Sequence, residues 1–232
     1  MWYPHAAYDT SLPADVFISW RYHIGMALGQ GSRRRFLWLH DVPAFPFPRS
    51  FATHVDGIFC VSAFHKSLVS HPLQDFVRVL PNGIDERFVS DGENDPFIFA
   101  YGSAPNRGLE TVLLAWPRIY KRLPGAKLEV YYGFSTGFEK WARWQYGEAP
   151  YAEWRARMDA LLAQDGVVYV GMVDHPTLAR AYAGAGFVLY PSAFSETGCV
   201  TLMKAMANGA IPITSRFSRS VLPELTAGYD MG

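Results

Sequence analysis

Short apolar runs separated by polar or turn residues recur along the chain and fall into two series. The first comprises Val16-Phe17-Ile18-Ser19, Phe36-Leu37-Trp38-Leu39, Ile58-Phe59-Cys60-Val61 and Val77-Arg78-Val79-Leu80, the pattern of buried parallel strands. The second comprises Phe97 to Tyr101, Leu128 to Tyr132, Val167 to Val170, Phe187 to Tyr190 and Ile211 to Thr214, with helical segments between successive members. Helical spacing is clearest from Gly108 to Arg122, where Leu109, Val112, Leu113, Trp116 and Tyr120 share a stripe. Pro124-Gly125 ends that helix, and Pro117 inside it predicts a kink. A second helix is predicted from Pro150 to Gln164 on Tyr151, Trp154, Met158, Leu161 and Leu162, stopped by Asp165-Gly166. This β-α alternation predicts an α/β protein of two Rossmann-like, doubly wound parallel-sheet domains. The polar, turn-rich stretch Ser90 to Pro96 sets the expected boundary, giving domains 1–92 and 93–232.

Composition narrows the class. With 232 residues, half of them hydrophobic, the chain can bury the core of one large domain or two modest ones. Basic and acidic residues balance at 21 each, so there is no electrostatic footprint for nucleic acid, and Arg33-Arg34-Arg35 reads as a solvated lead-in to a strand. The two cysteines, Cys60 and Cys199, lie in apolar strand or turn context without metal-ligand spacing, which suits a reducing compartment. No apolar run reaches the roughly 20 residues of a membrane helix, and the N-terminus lacks a secretory pattern. A soluble cytoplasmic protein is expected.

The chemistry concentrates in Tyr190-Pro191-Ser192-Ala193-Phe194-Ser195-Glu196-Thr197-Gly198-Cys199, followed by Val200 to Ala207 and then Asn208-Gly209-Ala210-Ile211. It reads as a strand end, an acidic turn, a short helix closed by Gly, and another strand, where open α/β sheets hold anionic ligands. Glu196 cannot bind phosphate, but its carboxylate can accept hydrogen bonds from sugar hydroxyls while free helix N–H groups face a diphosphate. Those two preferences together describe a sugar nucleotide. A carboxylate that merely complements the helix dipole is the bland alternative.

This segment resembles the retaining glycosyltransferases of the GT-B fold (group 1, family 4-like), whose donor site carries a Pro-Ser-x(n)-Glu segment and a second Glu eight residues on. The resemblance extends to Leu80-Pro81-Asn82-Gly83-Ile84-Asp85, similar to the family's interdomain link. It also covers Tyr101-Gly102-Ser103 through Arg107-Gly108-Leu109-Glu110, similar to its Gly-rich loop. The family's pattern implies that Glu196 binds donor-sugar hydroxyls and that Thr197, Gly198, Cys199 and Val200 cradle the phosphate. It implies that Ser103 and Arg107 lie at the diphosphate, that His40, after the strand Phe36 to Leu39, orients the sugar, and that Met172 and Val173 lie near the base. The catalytic candidates are therefore Glu196 and His40. By the same comparison the first strands of the N-terminal domain, with their acceptor-side loop, and the closing helices of the C-terminal domain are absent, so the N-terminal domain is expected to be incomplete. The first series opens in mid-pattern at Trp2-Tyr3-Pro4.

Two departures stand out. Lys204 occupies the position eight residues after Glu196 where the family has the ribose-binding Glu, and Ser103 stands where the family has an Arg. An ammonium cannot accept from two ribose hydroxyls, but it can lend charge to the diphosphate in place of the cation lost at Ser103. A solvent-facing helix residue is the alternative for Lys204. Arg107 is a cation at a helix start, the end that repels cations, which points to an anionic ligand.

What the resemblance implies is metal-independent transfer from a nucleotide-diphosphate sugar to an acceptor hydroxyl with retention, without a cofactor; no Asp-x-Asp triplet occurs. The acceptor is left open among a glycan, a lipid and a small molecule. Peripheral membrane contact follows from the family's lipid-linked acceptors. The aromatic loop Phe45 to Phe51 is the candidate acceptor-side or membrane-side element, while the aromatics from Trp141 to Trp154 have the helical spacing of packing residues. His65 and His71 are read as packing or surface residues. The rival to an enzyme is a non-catalytic nucleotide-sugar-binding or partner-binding remnant of the same fold. A dehydrogenase is disfavoured because Gly184-Ala185-Gly186 does not follow a strand and lacks the third Gly.

Overall fold

The computed structural model of the chain describes Asp9 and residues 14–227, so Trp2-Tyr3-Pro4 lie outside the described residues. The chain divides into two compact units. The first is Met1–Asn82 with Ser195–Gly198, and the second is Gly83–Phe194 with Cys199–Gly232.

In the first unit, β1 (Val16–Trp20), β2 (Arg34–Trp38), β3 (Gly57–Cys60) and β4 (Val77–Val79) form one parallel sheet in that order. Leu37, Ile58, Cys60 and Val77 alternate onto its buried face and pack with Met26, Phe47, Val55 and Leu73. The crossovers are short: 3-10 turns at His23–Gly29, Arg49–His54 and His71–Phe76, and one brief helix, α1 (Ala63–Ser67), capped by Ser62 accepting from the His65 N–H. Phe47 is buried in this core and stacks on Phe51 at 4.9 Å, while Phe45 in the same loop stays 44% exposed.

The second unit alternates strand and helix, with two helices in succession at one crossover. β5 (Asp95–Ser103), α2 (Leu109–Arg122), β6 (Lys127–Tyr132), α3 (Thr136–Tyr146), α4 (Glu148–Leu162), β7 (Val167–Gly171), α5 (His175–Gly184), β8 (Ala185–Tyr190), α6 (Val200–Ala207), β9 (Ile211–Thr214) and α7 (Leu222–Leu225) follow one another. All pairings are parallel, in the order β7-β6-β5-β8-β9. Caps explain where the helices start: Ser135 accepts from the Phe138 N–H, and Asp174 accepts from the Thr177 N–H. Gly147, at φ +88°, ends α3 and turns the chain into α4. The helix from Leu109 runs unbroken through Pro117 to Arg122. All nine strands inferred from the apolar runs are present, and α3 is a further helix that begins ahead of the aromatics read as helically spaced.

The turn-rich stretch Ser90 to Pro96, where composition suggests a boundary, lies inside the second unit. Two buried or half-buried amides hold it there. Asn208 accepts from the Ser90 N–H at 2.8 Å and donates to the Phe88 carbonyl at 2.7 Å, while Asn94 donates to the Ala185 carbonyl at 2.8 Å. Backbone groups that would otherwise need water are thereby paired with the second unit.

The second unit's core centres on Trp116, which is fully buried against Phe99 and donates its indole N–H to the Asp165 carbonyl at 2.9 Å. Trp116→Ala is expected to cost about 3–5 kcal/mol, read as a lowered urea midpoint; a loss under about 1 kcal/mol would contradict this packing.

Candidate functional site

The second unit's sheet reverses direction between β5 and β8: from β5 the chain builds outward through β6 and β7, then returns to place β8 on the other side. Ligands of open α/β sheets bind outside the carboxyl ends of the strands at such a reversal. Here those ends lead into residues 103–108 and 191–194.

Several local contacts shape this point. Gly102 leaves room for the Tyr182 hydroxyl, which would stand 2.1 Å from any Cβ. The Tyr101 hydroxyl donates to the Ala104 carbonyl at 2.7 Å, and the Ser103 hydroxyl lies 3.5 Å from that of Tyr190, joining the ends of β5 and β8. Gly108 has φ +101°, and a Cβ there would fall 2.7 Å from the Pro191 carbonyl oxygen. Both the left-handed backbone and the close approach require glycine. The Arg107 guanidinium then lies over the Phe194 ring, 3.3 Å from its centroid. The positive group at the start of α2 is thus held by the loop that follows β8.

Cys199 and Val200 open α6, whose N-terminus has no side-chain cap. Lys204, one turn further, is half-buried with its ammonium 3.8 Å from the centroid of Phe88, and burial lowers its pKa. This is neither a solvent-facing lysine nor one displayed as a free charge. Asn208 sets the partner in place, since the same amide that binds the Phe88 carbonyl also donates to the Lys204 carbonyl at 2.7 Å. Met172 and Val173 follow β7 at the sheet edge, two strands from β5 and so roughly 10 Å away across the sheet. Met172 is 63% exposed.

The first unit gathers the other candidates. His40 follows β2, and its ring packs against Trp38 at 4.9 Å and Trp20 at 5.6 Å. Burial lowers its pKa, the Arg21 charge adds to the effect, and Asp41 opposes it. Its Nε2 is buried without a hydrogen-bond partner among the described residues. Arg21 grips Asp41 through two nitrogens at 3.0 and 3.1 Å. Fully buried His65 accepts the Val61 N–H at Nδ1, so Nε2 carries the proton and donates to the Asp41 carbonyl at 3.0 Å. His65 is therefore a packing residue that also fixes the backbone beside His40.

Ser195–Gly198 groups with this unit through three hydrogen bonds. Thr197 donates its hydroxyl to the His40 carbonyl, Ser62 donates to the Thr197 carbonyl at 2.6 Å, and Asn82 donates to the Gly198 carbonyl at 3.1 Å. Gly198 fits because a Cβ would meet Asn82 and Val61 at 2.8 Å. Half-buried Glu196 thus sits one residue from a direct tie to His40. The structure brings together Glu196, Thr197, Gly198 and His40 in the first unit, and Ser103 and Arg107 in the second. Sequence reasoning passed over Ser62, Phe194 and Asn208, each of which also engages a partner far away in the chain.

No protein-family model matches the sequence, and a search of curated proteins finds no match. Solved structures do match in fold. Sucrose-phosphate synthase from Thermosynechococcus elongatus is 18% identical with a TM-score of 0.62, over 91% of this chain and 59% of that one. The GtfA/B complex is 19% identical with a TM-score of 0.60, over 88% of this chain and 42% of that one. Anabaena HepE, in complex with UDP and glucose, is 12% identical with a TM-score of 0.56, over 94% of this chain and 69% of that one. The fold is that of the GT-B glycosyltransferases, with parallel sheets of four and five strands. The chain spans 42% and 59% of the length of the first two.

Burial lowers the pKa of both His40 and His65, so the folded protein holds fewer protons than the unfolded chain between those lowered values and the ordinary 6.5. The stability they contribute is complete above about pH 6.5 and is lost as pH falls through the lowered folded values. Proton NMR titration of His40 should give a midpoint below 6.5; a midpoint at or above 6.5 would contradict the buried placement.

Proposed function

We propose that this chain carries the donor site of a retaining, metal-independent glycosyltransferase that uses a nucleotide-diphosphate sugar. The observation that supports this most is the switch point of the second unit, where the Gly108 backbone meets Pro191 and Arg107 is fixed over Phe194. A cation beside the N-terminus of α2, at the carboxyl ends of β5 and β8, suits a diphosphate. HepE's UDP and glucose make UDP-glucose the first donor to try.

In this reading Arg107 and the amides opening α6 take up the negative charge that grows on the leaving diphosphate as the bond to the sugar breaks. Glu196 accepts hydrogen bonds from sugar hydroxyls. His40, kept neutral by burial at physiological pH, offers one ring nitrogen to the sugar. The acceptor hydroxyl attacks on the face the leaving group departs from and passes its proton to the departing diphosphate oxygen, which retains configuration. Lys204, whose ammonium lies over Phe88 much as the Arg107 guanidinium lies over Phe194, lends a second positive charge to the diphosphate. That contact, in place of a ribose-binding carboxylate, also favours the second reading: a protein that binds the donor without turnover. Sugar release or transfer separates the two.

Thermal-shift titration with UDP-glucose, UDP-N-acetylglucosamine and GDP-mannose should raise the melting temperature by several degrees for at least one donor, as about 2.7 kcal/mol accrues at a hundredfold excess over Kd. Arg107→Ala should weaken that binding by about 10- to 100-fold, the worth of a charge-assisted hydrogen bond. Unchanged binding would remove Arg107 from the site. Glu196→Ala should abolish transfer and donor hydrolysis while the variant stays folded by circular dichroism; full activity would overturn its role.

A further inference from the structure

The donor reading leaves unused a cavity of about 800 Å3 in the second unit. Its walls are Pro105, Asn106, Gly108, Glu110 and Thr111, the facing surfaces of α3 and α4, and the loop from Pro191 to Phe194. The crossover from β6 to β7 carries two helices in succession, and the space opens against the pair. From α3, Phe138, Trp141, Gln145 and Tyr146 face the cavity at the spacing of one helical face, and Trp154 joins them from α4.

The wall's chemistry limits what can occupy it. Among the described lining residues there is no Leu, Ile, Val or Met, and the aliphatic surface is confined mainly to Pro105, Pro150, Pro191 and Ala193, little for an acyl chain to follow. There is no Lys or Arg either, which disfavours a phosphate or carboxylate ligand. The single carboxylate, Glu110, is already committed: it accepts from the Trp154 indole N–H at 3.0 Å and from Arg157 at 2.9 Å. Burial raises its pKa, but those hydrogen bonds outweigh it and keep the group ionised. What remains free is flat ring surface with carboxamides around it. Trp141 is 38% exposed and Tyr146 57%, and both Asn106 and Gln145 are exposed. Rings that meet C–H faces, and amides that both donate and accept, match the two sides of a pyranose.

We propose that this cavity binds a neutral oligosaccharide at a site of its own on the second unit, beside the switch point, with which it shares Gly108, Pro191 and the Phe194 ring. The proposal goes beyond donor binding and stands whether or not the chain turns a donor over. A sugar chain held on Trp141 and Tyr146 would end beside the loop that carries Arg107 and Phe194, the position of an acceptor or a growing product.

The test is saturation-transfer NMR on the full chain with maltotetraose, cellotetraose, chitotetraose and mannotetraose, with uridine and decanoate as the competing chemistries. At least one tetrasaccharide should receive saturation, and excess UDP should not displace it. Trp141→Ala and Gln145→Ala should each weaken binding by about tenfold. Trp144→Ala, on the same helix but 80% exposed and outside the cavity wall, should leave it unchanged. Gln145 is exposed, so its variant reports on the site even if Trp141→Ala destabilises α3. No transfer to any tetrasaccharide, transfer to uridine or decanoate alone, displacement by UDP, or an equal loss in Trp144→Ala would each overturn the proposal. Thermal shift with UDP-glucose reads the donor site separately.

Discussion

The second unit turns on one backbone contact. Gly108 approaches Pro191 so closely that no side chain fits between them, and it does so with a left-handed backbone that other residues avoid. That contact brings the end of β5 against the end of β8, the two strands between which the sheet reverses. Arg107 is then placed over Phe194, and α2 begins where an anion would meet its free amides. A side chain at position 108 would push these loops apart and with them the cation. The aromatic cavity shares the same loops, so one close approach shapes two surfaces of different chemistry.

The first unit shows a different economy. Its crossovers are short and its sheet has four strands, but the loops beyond β2 and β3 are densely tied. Buried His65 holds the Asp41 carbonyl, Arg21 holds the Asp41 side chain, and Ser62, Asn82 and Thr197 hold the segment that carries Glu196. Each bond is worth about 0.5–1.5 kcal/mol to stability, so their main effect is to fix geometry. In the proposed donor site, where a carboxylate and an imidazole would meet one sugar, that fixity matters more than strength. The lowered pKa of His40 fits this arrangement, because a neutral ring both donates and accepts.

The sheet was readable from the chain because buried parallel strands leave unbroken apolar runs, and every such run became a strand. Glu196, Arg107 and His40 stood out as candidates because each breaks a local expectation: an acid before a helix, a cation at its start, a histidine at a strand's end. Partners distant in sequence were not readable. Nothing near Lys204 foretells Phe88, whose ring holds its ammonium, and nothing near Arg107 foretells Phe194. Nothing in the Phe45-to-Phe51 loop foretold that Phe47 would enter the core while Phe45 stays exposed. The aromatics from Trp141 onward looked like packing residues, and helical spacing alone could not show that one face of α3 lines a cavity. The turn-rich stretch before β5 had the composition of a linker, but Asn94 and Asn208 bind it down.

The direct measurement is amide chemical-shift mapping of the full chain with UDP. Binding at the switch point predicts the largest shifts at residues 102–109 and at the opening of α6, residues 199–202, with the far side of the second unit's sheet unmoved. Shifts centred on the amino ends of β5 and β8, or none at saturating UDP, would contradict the account.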